Sequence, residues 1–206
     1  MTAMPDSEKL FKGPCEFVAG AATFEAIPRL RLPEVAFAGR SNAGKSSLIN
    51  ALTHRTSLAR VSQTPGATRQ INFFALAGTL ILADLPGYGY AKASRSLAQA
   101  WQSLIVAYLR GRPNLRRVIL LVDARRGVMN TDNEAMDLLD EAAVSYLVVL
   151  TKSDALPRGG REGALTECRA AIAARIAAYP DVLATSAVTK EGLEDLRAHI
   201  AALAGP

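Results

Sequence analysis

The sequence predicts an α/β fold in three layers: a mostly parallel six-stranded sheet with one antiparallel edge strand, and helices on both faces. Three observations predict it. The apolar runs at residues 35–38, 118–122 and 146–150 are short and continuous, as suits strands buried on both faces. Stretches with helical spacing alternate with these runs, and such alternation gives parallel strands joined by crossovers. Two further runs, 71–76 and 79–83, are separated by Ala77-Gly78, a tight turn that makes an antiparallel pair.

Taken in order, residues 1–16 are polar and mixed and are expected to form a flexible N-terminal segment, ahead of a single domain over 17–206. Residues 17–32, followed by Pro33, read as a strand or turn packed against that domain. The run 35–38 is the first strand of the periodic part and 45–53 its first helix. Residues 54–70 keep no apolar period and contain Thr64-Pro65-Gly66, so they are a loop. After the antiparallel pair, residues 84–90 form a glycine-rich loop. An amphipathic helix follows over 97–109, with Trp101, Leu104, Ile105 and Tyr108 at helical spacing. Residues 131–141 are a helix whose acidic first turn suits the helix dipole. An alanine-rich helix over 162–178, a last strand at 182–184 and a closing helix at 193–203 complete the chain.

At 206 residues and 50% hydrophobic composition, the chain can bury a full core. No apolar run is long enough for a bilayer, no N-terminal signal pattern is present, and neither Ala204-Gly205-Pro206 nor Thr2 offers a lipidation site. Cys15 and Cys168 are far apart and make no disulfide framework, so a cytoplasmic protein without a membrane partner is expected. The net charge of +5 conceals an asymmetry. Residues 35–122 carry eleven Lys and Arg against Asp84 alone, while the rest of the chain has an acidic excess. A bound polyphosphate offsets part of that; a basic face for nucleic acid is the sharper reading.

The chemistry gathers in four motifs. Gly39-Arg40-Ser41-Asn42-Ala43-Gly44-Lys45-Ser46 reads G-x-x-x-x-G-K-S between a strand and a helix. Its backbone N–H groups and the helix dipole, continuing through Ser47, favour phosphate. Lys45 would reach β- and γ-phosphates and the Ser46 hydroxyl would ligate Mg²⁺. Asp84-Leu85-Pro86-Gly87 is a D-x-x-G at a strand end, where Asp84 would hold Mg²⁺ through water and the Gly87 N–H would meet the γ-phosphate. Thr151-Lys152-Ser153-Asp154 ends the run 146–150, at the strand edge where α/β sheets take ligands. Guanine presents N1–H and an exocyclic amine on one edge, and the Asp154 carboxylate can accept both, whereas adenine offers neither; the Lys152 stem would lie over the ring. Alone, a T-K-x-D is ordinarily a strand end and a surface loop; after this phosphate loop it selects guanine. Thr185-Ser186-Ala187 follows the last strand and suits a loop whose backbone meets guanine O6.

Together these segments resemble the P-loop GTPases of the TrmE–Era–EngA–EngB group, and within it the EngB (YihA/YsxC) family. The resemblance runs from about residue 17 to the C-terminus, through Thr64-Pro65-Gly66-Ala67-Thr68, Asp84-Leu85-Pro86-Gly87-Tyr88-Gly89-Tyr90-Ala91 and Asp123-Ala124-Arg125-Arg126-Gly127. It implies a three-layer P-loop GTPase fold and a monomer that hydrolyses GTP to GDP and phosphate. It implies a nucleotide switch in assembly of the large ribosomal subunit, with ribosomal RNA as partner, needed for growth and cell division. It makes Thr68 the switch threonine that closes on Mg²⁺ and γ-phosphate, with Thr64 a neighbouring competitor, and gives Lys45, Thr68 and Gly87 as the catalytic set. Asn42 resembles the asparagine that ligates K⁺ in related GTPases; its alternative role is turn geometry. Where Ras-like enzymes have a glutamine after D-x-x-G, this chain has Tyr88, which cannot orient water as an amide does, so intrinsic hydrolysis is expected to be slow. Membrane signalling and metabolic phosphoryl transfer are the competing readings. For the basic face, the candidates are Arg110, Arg112, Arg116, Arg117, Arg125 and Arg126, with Lys92 and Arg95 carrying nucleotide dependence.

Overall fold

Seven strands in the order β1-β3-β4-β2-β5-β6-β7 form one sheet in the computed structural model, which describes residues 6–59, 70–88 and 95–205. The strands are β1 (Cys15–Ala21), β2 (Glu34–Gly39), β3 (Ile71–Leu76), β4 (Leu80–Asp84), β5 (Leu115–Asp123), β6 (Tyr146–Thr151) and β7 (Ala178–Ala184). The helices are α1 (Ser7–Lys12), α2 (Lys45–Leu52), α3 (Arg95–Gly111), α4 (Asn130–Glu141), α5 (Gly160–Ile172) and α6 (Leu193–Ala201). β4, β2, β5, β6 and β7 run parallel, while β3 pairs antiparallel with both β4 and β1.

Side chains alternate across the sheet, so each central strand feeds two cores. Val35, Phe37, Leu82, Ile119, Leu121, Leu147 and Val149 face one way, onto Leu48 and Leu52 of α2 and Leu196 and Ile200 of α6. Ala36, Ala83, Leu120, Val122, Val148 and Leu150 face the other, onto Leu104 and Tyr108 of α3, Met136 of α4 and Cys168 of α5. Each of the larger aliphatic side chains contributes about 1.5–3 kcal/mol by leaving water. The register sets what stands at the strand ends. Phe37 lies opposite Asp84, Gly39 opposite Leu121 and Asp123 opposite Thr151, so the chemistry-bearing ends of four strands share one edge of the sheet. No helix among the described residues is long and apolar enough to cross a membrane.

The sheet has one strand more than the six expected. β1 pairs outside β3, from Cys15 opposite Leu76 to Ala21 opposite Ile71, with an irregularity between Phe17 and Ala19. Only its two end residues are buried, so it carries no alternation for periodicity to detect. Within residues 1–16, expected to be flexible, Ser7–Lys12 form α1. The Asp6 carboxylate caps it by accepting from the Glu8 N–H at 3.0 Å, and Leu10 and Phe11 are buried in the α6 core. The alanine-rich helix expected to reach residue 178 stops at Ile172. Helix propensity would carry it on, but Arg175 turns back onto Asp137, Asp140 and Asn133 of α4, and Asp140 accepts from the Ala177 N–H at 3.0 Å. That tie starts β7 four residues before the predicted 182, and Pro180 is tolerated there because β7 is an edge strand.

The arginines expected to form one basic face are divided. Arg110, Arg112, Arg116 and Arg117 lie before or at the start of β5, and Arg125 and Arg126 beyond its far end. The Arg112 side chain is only 9% exposed: its Nη2 donates to Glu34 at 2.8 Å and its Nη1 to the Pro28 carbonyl at 2.8 Å, while the Tyr108 hydroxyl also donates to Glu34. Glu34 is wholly buried and needs that guanidinium, since an unpaired carboxylate in a core is strongly destabilising. Arg117 stacks over the Tyr179 ring at 4.3 Å and meets His199 Nε2 at 2.5 Å. Burial and that guanidinium push the His199 imidazole down to about 4, so it is neutral at physiological pH and accepts from Arg117. Lys92 lies outside the described residues.

Candidate nucleotide-binding site

The turn between β2 and α2 is shaped by two left-handed residues. Asn42 and Gly44 both take left-handed conformations, with φ of 66° and 92°. Asparagine tolerates this and glycine favours it, so the turn role expected of Asn42 is observed; its side chain is exposed. Gly44 is the N-cap of α2 and has no side chain to satisfy the first-turn N–H groups, which leaves them for an anion. Ser46 and Ser47 sit in that first turn, half-buried. Lys45 points inward and is 9% exposed, and its ammonium forms an ion pair with Asp84 at the end of β4.

The D-x-x-G loop runs directly along this turn. The Leu85 N–H donates to the Phe37 carbonyl at 3.0 Å, the Tyr88 N–H to Gly39 at 3.2 Å and the Ser41 N–H to Tyr88 at 3.0 Å. Gly87 is pressed so closely on Ser41 that a Cβ there would lie 3.0 Å from its nitrogen and 3.1 Å from its Cα. A backbone contact of that kind admits glycine alone without a shift.

The T-K-x-D segment is bolted to the same turn. Thr151 Oγ1 donates to the Ala43 carbonyl at 2.5 Å, and Lys152 Nζ donates to the Asn42 carbonyl at 2.6 Å and to Asp123 Oδ2 at 2.9 Å. Lys152 takes φ of 59°, and Asp154 follows, exposed, in a 3₁₀ turn over Ser153–Ala155. Asp123 also accepts from Arg125 Nη2 at 2.6 Å. Burial alone would raise its carboxyl, but the hydrogen bonds from Arg125 and Lys152 outweigh that and hold it well below the usual carboxylate range. The loop after β7 joins them: the Thr185 N–H donates to Leu150 at 2.7 Å, and the Ser153 N–H to Thr185 at 3.1 Å. Ser186 Oγ accepts from the N–H groups of Val188 and Thr189, leaving half-buried Ala187 at the loop's turn.

Thus Gly39–Ser47, Asp84, Gly87, Thr151, Lys152, Asp154 and Thr185–Ala187 share one edge of the sheet. Thr64 and Thr68 lie outside the described residues. Asp123 was visible in the sequence only as the head of a D-A-R-R-G string, and its hold on Lys152 depends on the register of β5 against β6. Tyr88 was read for what it lacks; its hydroxyl is in fact committed to Asp132, at 2.9 Å. Burial first, and that carboxylate second, raise the phenol well above its ordinary range. Among the described residues no group of three or more His, Cys, Asp or Glu gathers to cage an ion. A hydroxyl at Ser46 and a carboxylate at Asp84, beside room for phosphates, are the sparse oxygen donors that suit Mg²⁺, which keeps most of its water.

Residues 34–152 match the family model described as "50S ribosome-binding GTPase". A probable GTP-binding protein EngB of Hyphomonas neptunium is 54% identical over 205 residues, covering 98% of this chain and 93% of that protein. Its namesake in Gluconobacter oxydans is 51% identical over 201 residues, covering 98% and 88%. Among solved structures, a probable GTP-binding protein engB superposes with a TM-score of 0.65 at 23% identity, covering 83% of this chain and 98% of that one. Era, solved with MgGDPNP and a 16S ribosomal RNA fragment, superposes with a TM-score of 0.67 at 21% identity over 84% of this chain and 57% of that one; at such identity the likeness is one of fold.

Proposed function

We propose that this chain, which belongs to the EngB family of GTP-binding proteins and is a GTPase, acts as a nucleotide switch on the large ribosomal subunit or its precursor. The observation that carries the site assignment is the attachment of Thr151 and Lys152 to the carbonyls of Ala43 and Asn42. It supports Asp154, two residues on from Lys152, as the carboxylate that would select guanine. The family model's own description, a 50S ribosome-binding GTPase, supports the partner.

In the reaction a water attacks the γ-phosphorus, the bond to the β–γ bridging oxygen breaks, and the electron pair leaves with GDP. The barrier lies in charge that spreads over phosphate oxygens, so positioning and fixed positive ends matter most. The backbone N–H groups of residues 44–46 would cradle the α- and β-phosphates. Lys45 would leave Asp84 for the β- and γ-oxygens, and the Gly87 N–H would donate to a γ-oxygen. Lys152 would cover the guanine ring, Asp154 accept from N1–H and the amine, and the Thr185–Ala187 loop meet O6. Mg²⁺, held by Ser46, Asp84 and Thr68, would neutralise charge between the β- and γ-phosphates. Tyr88 has no amide to orient water, and its hydroxyl is committed to Asp132 rather than free to act as a base, so intrinsic turnover should be slow.

Two measurements test this reading. Sedimentation with purified ribosomal subunits should show large-subunit binding with a non-hydrolysable GTP analogue and weaker binding with GDP. Equal binding in both states, or none, removes the switch. For the monovalent ion, turnover should rise when KCl replaces NaCl at constant ionic strength, and Asn42→Ala should erase the difference. Equal rates in the two salts would leave Asn42 with only its left-handed turn.

A further inference from the structure

Asp132 is wholly buried in the first turn of α4, yet it does more than cap that helix. Its Oδ2 accepts from the Met129 N–H at 2.9 Å, which is all that capping requires. Its Oδ1 faces two other elements: it accepts from the Tyr88 hydroxyl at 2.9 Å and lies 3.5 Å from Arg40 Nε. Arg40 belongs to the phosphate-binding turn, and its side chain is only 15% exposed, with Nη1 on Met129 Sδ at 2.7 Å. Tyr88 directly follows Gly87. One buried carboxylate of α4 therefore joins the phosphate-binding turn to the D-x-x-G loop.

The geometry points to Asp132 as a positioning residue that holds Gly87 against the phosphate-binding turn, where its N–H can meet a γ-phosphate. Beyond β4 the D-x-x-G loop has left the sheet, and Tyr88 is linked to Gly39 and to Ser41 by single backbone hydrogen bonds of 3.2 and 3.0 Å. Contacts of that sort open readily on a loop. A hydrogen bond to a buried carboxylate is stronger, and Arg40 sets an opposite charge 3.5 Å from that carboxylate. Tyr88 is thus tied at its backbone to Gly39 and Ser41 and at its hydroxyl to Asp132, and Gly87 lies between those ties and Asp84.

The inference rests on the GTPase reading, and the two fail differently. GDP has no γ-phosphate, so the place of Gly87 should not affect its affinity. In the full-length protein, Tyr88→Phe and Asp132→Asn should each weaken a fluorescent non-hydrolysable GTP analogue by about tenfold while fluorescent GDP stays within about twofold. The double variant should be no worse than the worse single one, because both remove the same contact. Asp132→Asn also disturbs the helix cap, so Tyr88→Phe, which keeps volume and packing, decides the matter. Equal loss for both nucleotides, or no loss for either in folded Tyr88→Phe, overturns the positioning role. Wild-type protein that binds neither nucleotide would defeat the GTPase reading first, before any variant is compared.

Discussion

Asp154→Asn should turn the protein from guanine to xanthine. The carboxylate would accept two donors on the guanine edge, while an amide presents N–H₂ to the exocyclic amine and meets it donor to donor. Xanthine carries an oxo group there and accepts. Losing charge-assisted bonds to a desolvated base edge should cost about 1.5–3 kcal/mol, or roughly ten- to a hundredfold in GTP affinity, with xanthosine triphosphate gaining by a similar factor. Asp154 is exposed in its 3₁₀ turn and packs into no core, so the substitution should leave the melting temperature unchanged. Calorimetry with both nucleotides reads the result directly. GTP binding as tight as wild type would take Asp154 out of base selection and move that task to the Thr185–Ala187 loop.

The motifs were legible because each is a short run with its own local geometry. Gly39–Ser46 could be placed between a strand and a helix from apolar spacing alone, and the T-K-x-D segment marks its strand end by the continuous run before it. The missed parts are those fixed at long range. β1 has no alternation because only Cys15 and Ala21 reach a core, so nothing local distinguished it from a loop. α1 owes its burial to α6, at the other end of the chain. The end of α5 is set by Arg175 and Asp140 rather than by propensity, since residues 173–177 are good helix formers apart from Ile176. Charge misled for a related reason. Counting arginines along the sequence cannot separate Arg112, neutralised in the core by Glu34, from a solvated one, because the two are distant in sequence and adjacent in space. Asp132 read simply as an acid suited to a helix start, and it is one; its second oxygen faces elements that only the fold brings near.

Lys45→Met should produce the largest change, in two quantities that separate. Nucleotide binding should be lost, because the ammonium that would reach the β- and γ-phosphates is gone. The free protein should also lose about 3–5 kcal/mol of stability, which urea unfolding without nucleotide measures. The reason lies in Asp84, which is 3% exposed at the end of a central strand and has the Lys45 ammonium as its counter-charge. With a thioether in that place the carboxylate loses the counter-charge that offsets its lost hydration. Lys45→Met combined with Asp84→Leu replaces the pair by apolar groups of similar size and should recover most of the stability while restoring no nucleotide binding. The pair is therefore a reserve of charge held inside the site. Binding GTP would draw the lysine from one anion to another, and the affinity would be the difference between those two partners. If the single variant unfolds at the wild-type urea concentration, Asp84 is not dependent on Lys45, and the ion pair is incidental to stability. If the double variant is no more stable than the single one, the loss comes from packing around residue 45 rather than from an unpaired carboxylate.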